Sequence, residues 1–196
     1  MIDVLLTGVA GAMGRRHRTQ GHHDVEELLT LVPINLRPPE EFGLDATLGN
    51  RTTAISVRLP IAIPDPIARF RVVHERVENR KSSPSVTMVP TLAHLISGSP
   101  RWLFRQFAHR ASGSIDLIVT NVPGIPVPRY VAGAEITAGY PIAPTAPHTP
   151  VSIALYGYRD SLFIGLDADG TAMTDLDEFE DMLCASFSEL VRAVRV

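Results

Sequence analysis

Cysteine is nearly absent from these 196 residues: Cys184 stands alone, so no disulfide can form within the chain. That suits a reducing compartment. Cys184 itself falls within an apolar helical pattern, which predicts a place in the core. No apolar run approaches the ~18 residues needed to span a bilayer. The N-terminus also lacks a basic region followed by an apolar core and a small-residue cleavage site, so a cytoplasmic protein is expected. Charge of one sign is missing as well. A formal net charge of -3 gives no reason to expect nucleic acid or another polyanion as partner. Positive charge is only local, at Arg15, Arg16, His17 and Arg18 and again from Arg69 to Lys81. Both stretches read as solvated helix faces. With no internal repeat and no low-complexity tract, one domain over residues 1–196 remains, long enough for a core.

What is present is apolar alternation. LLTLVPI reads as a short, largely buried strand, and TTAISVRL puts Ile55, Val57 and Leu59 on one face. SIDLIVTNV repeats the pattern with Ile115, Leu117 and Val119. VSIALYGY and SLFIGLDAD are separated only by Arg159-Asp160, which predicts a hairpin and an antiparallel pair. Such a pair does not suit an all-parallel doubly wound sheet. Helical spacing joins Ile67, Phe70, Val73 and Val77, with Arg69, Arg71, Glu75, Arg76 and Glu78 outside. A wide stripe of Leu176, Phe179, Met182, Leu183, Phe187, Leu190 and Val191 predicts a helix over 175–193, opened by a Thr174/Asp177 capping box. Proline clusters at 38–39, 123–128 and 141–150 mark extended loops.

The opening MIDVLLTGVAGAMGRRH admits two readings. As strand and loop, Val4-Leu5-Leu6 would feed Gly8, Gly11 and Gly14 into a phosphate-cradling turn, with Arg37 near enough for a 2′-phosphate. A dinucleotide fold then needs a helix with an apolar face after the glycines. Beyond Met13 nothing apolar appears until Val25. The alternative is a helix over 4–13, capped by Asp3, with Leu5, Leu6, Val9, Ala12 and Met13 at helical spacing. Its glycines would line a strip, each costing ~1 kcal/mol against alanine but admitting a close neighbour. The helix is the better reading. His22-His23 suggests a metal site or general base, but no further ligand stands at a suitable spacing, and a polar loop accounts for it. His74, His94, His109 and His148 likewise lack a Ser or Asp partner at motif spacing.

Five segments in order, DVLLTGVAGAMGRRH, LLTLVPINLR, LGNRTTAISVRLP, IVTNVPGIPVPRYVAGAEITAGYPIAP and VSIALYGYRDSLFIGLDAD, resemble the C-terminal half of the bacterial wax ester synthase/diacylglycerol acyltransferase family. The strongest element is Asn121-Val122-Pro123-Gly124 leading to Tyr140-Pro141, with Gly49-Asn50-Arg51 second. The resemblance covers nearly the whole chain. It implies a chloramphenicol-acetyltransferase-like α/β (α+β) lobe, a mixed sheet with helices packed on it. It also implies a coenzyme-A-dependent O-acyltransferase of neutral lipid synthesis, with acyl-CoA as co-substrate and a long-chain alcohol or diacylglycerol as acceptor. No bound cofactor and no metal are implied.

The family's HHxxxDG histidine deprotonates the acceptor hydroxyl and belongs to the N-terminal lobe. Here His22-His23 is followed by Glu27 and Leu28 where Asp and Gly belong, so it is no copy. The Asn-Asp pair that opens the family's lobe survives only as Asp3, behind Ile2. A fragment, a split enzyme or a misplaced start is therefore expected, without a catalytic residue and needing an N-terminal lobe or self-association. The glycine-lined helix and the loop around Pro123 are the expected contact face.

The resemblance makes Asp3, Asn50, Asn121, Pro123, Gly124, Tyr140 and Pro141 candidates for substrate tunnel or lobe interface. Asn50 and Asn121 fit strand-end hydrogen bonding as well as substrate contact. Pro123-Gly124 fits a tight turn. Tyr140 fits a tunnel border or plain packing. The segment Arg101 to Phe107 fits core packing or contact with the inner membrane or lipid inclusions. Two other functions compete: a catalytically dead lipid- or acyl-CoA-binding module and, more distantly, a nucleotide-dependent reductase.

Overall fold

The computed structural model describes residues 1–35, 52–82, 115–146 and 148–194. Asn50 and its neighbours, Arg37, Pro38-Pro39, His94, His109 and the Arg101 to Phe107 segment lie outside them.

The opening run is a helix, α1 (Ile2–Thr19), and not a strand with a phosphate turn. It runs past Met13 to Thr19 because interhelix ion pairs take over where apolar residues end. Arg15 pairs with Glu189, and Arg16 grips Asp175 with two bonds of 2.7 and 2.8 Å. These cations are therefore ties between helices, not a solvated face. Asp3 is not the N-cap. Met1 holds that position without a side-chain cap, and Asp3 sits in the first turn, where its charge suits the helix dipole.

Two strands follow, β1 (Glu27–Asn35) and β2 (Thr52–Pro60), then α2 (Pro66–Lys81). Asp65 caps α2 by accepting from the Ala68 amide at 2.6 Å, with Pro66 preset for the first turn. Next come β3 (Leu117–Ile125), a minimal hairpin of β4 (Tyr130–Val131) and β5 (Ala134–Glu135), then β6 (Val151–Tyr158) and β7 (Ser161–Ala168). The last described element is α3 (Leu176–Val194). Asp175, not Thr174, precedes its first residue, so Thr174 and Asp177 form no capping box.

The five long strands make one mixed sheet in the order β2-β1-β3-β6-β7. β1, β3 and β6 run parallel in the middle, and β2 and β7 close the edges antiparallel. One face carries Leu28 and Val32, Ile55, Val57 and Leu59, Leu117 and Val119, and Val151, Ile153 and Leu155, all buried beneath the helices. Thr30 lies on that face too, fully buried, although the alternation alone did not separate it from Leu29 and Leu31.

The glycine strip explains how three helices fit on one sheet face. A Cβ on Gly8 would strike the Phe187 ring of α3, one on Gly11 would strike Ser186 and Arg69, and one on Gly14 would strike the Ile61 carbonyl. The strip is therefore consumed inside the lobe, and residues 5–14 are buried. This corrects the expectation that it forms an open contact face. Arg69 is also misplaced by helical periodicity, being only 2% exposed. Its guanidinium donates to the carbonyls of Thr7, Ile63 and Pro64, which ties α1 to the start of α2. Burial pushes its pKa down, against the pull of Glu189.

Candidate functional site

The parallel strands β1, β3 and β6 end at one side of the sheet, and most of the residues singled out by sequence gather there. Asn121 on β3 pairs with Leu155 on β6, which pairs with Ile164 on β7, so the three form one row. The parity of β3 points Asn121 to the helix-covered face, beyond Val119. Its Oδ1 is buried with no hydrogen-bond partner. It opens on a cavity of about 190 Å³ with Ile2, Val32, Pro33, Ile34, Ile55, Val77 and Lys81. Orphaned buried oxygens are uncommon because each costs about 1–3 kcal/mol.

Asp3 belongs to the same end of the lobe through its neighbour Ile2. The Nδ1–H of His74 donates to its Oδ2 at 2.7 Å, while Oδ1 is buried without a partner. Glu78 lies one turn from His74, and the ligand atoms of Asp3, His74 and Glu78 fall within 4.8 Å of one another. This is the one set among the described residues with the composition of a metal site. Each member already has a protein partner, His74 for Asp3 and Lys81 at 2.9 Å for Glu78, which is the pattern of surface ion pairs. His22 and His23 sit in the exposed turn after α1, beside Gly21.

Pro123-Gly124 is not a turn. Both residues lie inside β3, where the register with β6 slips between Val122 and Ile125. The glycine is required by approach, since a Cβ there would collide with the Gly157 carbonyl across the strand pair. A bulge of this kind ends the regular ladder and redirects the chain. The chain then leaves through the β4–β5 hairpin, whose tip residues Ala132 and Gly133 both have positive φ, 49° and 84°. The Ile136 amide closes the hairpin by donating to the Arg129 carbonyl at 2.8 Å, and two contacts hold it to the sheet: the Arg129 amide donates to the Tyr158 hydroxyl at 2.8 Å, and Arg159 to Glu135 at 2.9 Å.

Tyr140 and Pro141 come next, laid over β7. Tyr140 meets Phe163 edge-on at 5.3 Å, and the Pro141 carbonyl sits where a Cβ on Gly165 would be. Phe163 and Gly165 point away from the helices, whereas Leu162, Ile164 and Leu166 point toward them. Both sets of neighbours border one cavity of about 520 Å³, so it wraps the open edge of β7. Its walls are Tyr140 to Ile142 on one side and Leu176, Leu183 and Phe187 of α3 on the other, with Asp177, Glu180 and Cys184 at the mouth. Cys184 is exposed there, contrary to the expected core position. Val122, Val127, Tyr130, Val131, Tyr140, Ile142 and Leu162 remain exposed around this end of the sheet, Ile142 to 86%. Val122 and Val127, on either side of Pro123-Gly124, are among these exposed apolar side chains.

Chemically, the cavity offers an apolar wall rather than a reacting group. Among the described residues no histidine lines it, and its two carboxylates, Asp177 and Glu180, sit at exposed positions of α3, where they would repel an anion. Helical spacing put Leu183 and Phe187 in one stripe, without indicating that they face the Tyr140-Pro141 segment across a space.

The same fold occurs in solved structures of an acyltransferase and of condensation domains. The fold matches 99% of this chain to 43% of a wax ester synthase/diacylglycerol acyltransferase from Marinobacter aquaeolei VT8, with a TM-score of 0.67 and 21% identity. A starter condensation domain of rhizomide synthetase matches 97% of this chain and 42% of its own, with a TM-score of 0.55 and 12% identity.

Residues 48–191 match the WS/DGAT C-terminal domain, and the chain belongs to that family. A Mycobacterium tuberculosis protein named as a diacylglycerol O-acyltransferase is 28% identical over 189 residues, 96% of this chain and 37% of its own length. The O-acyltransferase WSD of Acinetobacter baylyi is 27% identical over 87% of this chain and 37% of its own. The chain therefore spans little more than a third of these relatives. No helix among the described residues is long and apolar enough to cross a membrane.

Proposed function

We propose that this lobe forms the acyl-binding side of an acyl-CoA-dependent O-acyltransferase that makes neutral lipid. In this reading acyl-CoA donates the acyl group, and a long-chain alcohol or diacylglycerol accepts it. The observation that carries the reading is the cavity of about 520 Å³ at the β7 edge, apolar inside and rimmed by exposed Tyr140, Ile142 and Leu162. An alkyl chain gains about 0.8 kcal/mol for each methylene it buries there. Attack on the thioester also needs a base to take the hydroxyl proton, help worth about 10²–10⁴ in rate. A second lobe bearing HHxxxDG supplies it in this reading. Asp3 and Asn121, with buried oxygens that lack donors, and the Pro123-Gly124 bulge lie at the end of the sheet where that lobe would dock. Contact with a membrane or lipid inclusion would follow from the substrates.

The test uses the 196-residue chain with palmitoyl-CoA and either hexadecanol or diacylglycerol. The chain alone should transfer nothing. Supplied with the N-terminal lobe of a relative, it should turn over. Leu183→Trp, which fills the cavity, should then lower kcat/KM at least about tenfold. His22→Ala with His23→Ala should stay within a few-fold. Turnover unaffected by Leu183→Trp would refute the cavity's role. Binding of acyl-CoA without turnover in any pairing would instead identify a binding module.

A further inference from the structure

We propose that the cavity between the β2 edge and the last turns of α2 binds a phosphate-type anion, the phosphoryl group of a phosphate ester. It measures about 440 Å³ and is lined by Glu27, Val57, Arg58, Arg76, Asn79 and Arg80. Three arginines and one glutamate are thus gathered along one cavity, in a chain whose net charge is -3. The carboxylate is already engaged: Glu27 accepts from Arg76 at 2.6 Å, and Arg76 also donates to the Arg58 carbonyl at 2.7 Å. Those bonds brace Arg76 between α2 and the sheet as a fixed back wall. Among the described residues, the side chains of Arg58, Asn79 and Arg80 find no hydrogen-bond or ion-pair partner.

Simpler roles account for these residues singly. Arg80 in the last turn complements the helix dipole, and Arg58 guards an edge strand against pairing. Neither role requires both to open into one cavity beside a third arginine whose counter-ion is occupied. Two arginines and an asparagine along one cavity supply enough donors for the several oxygens of a phosphoryl group, which accepts bidentate bonds. Val57 and the remaining volume leave room for the organic part of an ester. β2 and β7 are opposite edges of the sheet, about 19 Å apart at ~4.8 Å per strand. The anion site is thus separate from the acyl cavity, and the inference stands without the transferase reading. The phosphoryl group has two sources, a soluble ester or the headgroup of an anionic phospholipid.

The experiment titrates the 196-residue chain with glycerol 3-phosphate by calorimetry and floats it with phosphatidylcholine vesicles, with and without phosphatidylglycerol. Saturable binding of at least one probe is expected. Arg58→Gln and Arg80→Gln should each weaken it by about tenfold. Arg71→Gln, on the same helix but outside the cavity, should stay within about twofold. Glycerol 3-phosphate binding without phosphatidylglycerol-dependent flotation assigns a soluble ester. Flotation that depends on phosphatidylglycerol and is lost in both variants assigns a headgroup. Far-UV melting curves of the variants, all altered at exposed positions, check that the fold is kept. No saturable binding of either probe, or an Arg71→Gln loss equal to that of Arg80→Gln, overturns the proposal.

Discussion

Replacing Gly8, Gly11 and Gly14 by alanine, one at a time, should give a graded loss of stability set by what each new methyl meets. The common starting term is favourable, because alanine is better than glycine in a helix by about 1 kcal/mol. At Gly8 the methyl meets the Phe187 ring edge at 2.6 Å. That ring is a half-buried side chain on α3 and can swing away, so the two effects should roughly cancel. At Gly11 the methyl meets Ser186 and lies 2.6 Å from the Arg69 guanidinium. Moving Arg69 loosens its bonds to the Thr7, Ile63 and Pro64 carbonyls, and hydrogen bonds to a charged group are worth about 1.5–3 kcal/mol. A net loss of about 0.5–2 kcal/mol follows. At Gly14 the obstacle is the Ile61 carbonyl, part of a backbone held by a 3.0 Å bond from the Ile61 amide to Glu26. Backbone cannot swing, so the overpacking cost belongs at or above the upper end of the usual range of about 1–3 kcal/mol, and after the helix gain of about 1 kcal/mol the net loss should be about 2 kcal/mol or more. Urea unfolding of the 196-residue chain, followed by far-UV circular dichroism, reads the order Gly14, Gly11, Gly8 directly. If Gly14→Ala instead stabilised the chain by the bare helix term, the helix could not be packed as described.

Two further substitutions probe the ties between helices. Arg16 holds the Asp175 carboxyl below its ordinary pKa, so the pair stabilises the fold above the unfolded value of about 3.9 and loses that contribution as pH falls through the lower folded value. Asp175→Asn should cost about 1–2 kcal/mol at pH 7, a deficit that shrinks below about pH 4 in urea midpoints; a deficit independent of pH would contradict this. Arg69→Met keeps the length of the side chain but strips donors from three carbonyls, and should cost about 1–3 kcal/mol by the same assay. An unchanged midpoint would mean that the bonds only offset the desolvation of the charge.

The sheet was legible because its strands alternate in step. Ile55, Val57 and Leu59, like Leu117 and Val119, each mark one face, and two residues between β6 and β7 leave room for nothing but a hairpin. The helical reading of the first segment followed from a deficit, the lack of any apolar stripe after Met13. Arg69 was misread because periodicity places arginine outside, while its partners are backbone carbonyls that carry no signature in sequence. Cys184 was misread because α3 has a broad stripe, and only its Phe179, Leu183, Ser186 and Leu190 line is buried. Pro123-Gly124 resembled a turn because its reason for being there, Gly157, lies on another strand. Tyr140 and Pro141 stood out only through family resemblance. The walls that make their surroundings a cavity come from β7 and α3, whose juxtaposition no local pattern encodes.

The tie between α1 and α3 also has a consequence for the order of folding. Arg16 and Asp175 are 159 residues apart, and β1 meets β3 through Leu29 and Asp116, which are 87 apart. Contacts of such separation carry a large loop-closure entropy and slow the search for the native state. During synthesis, α1, β1, β2 and α2 can emerge and meet early, and Arg69 then reaches Gly11, yet the strip at Gly8 and the rest of Gly11 stay uncovered until Ser186 and Phe187 leave the ribosome. For that interval the first helix presents a bare apolar groove to the cell, so yield on expression should respond to translation speed and chaperone supply more than to the stability of the finished lobe.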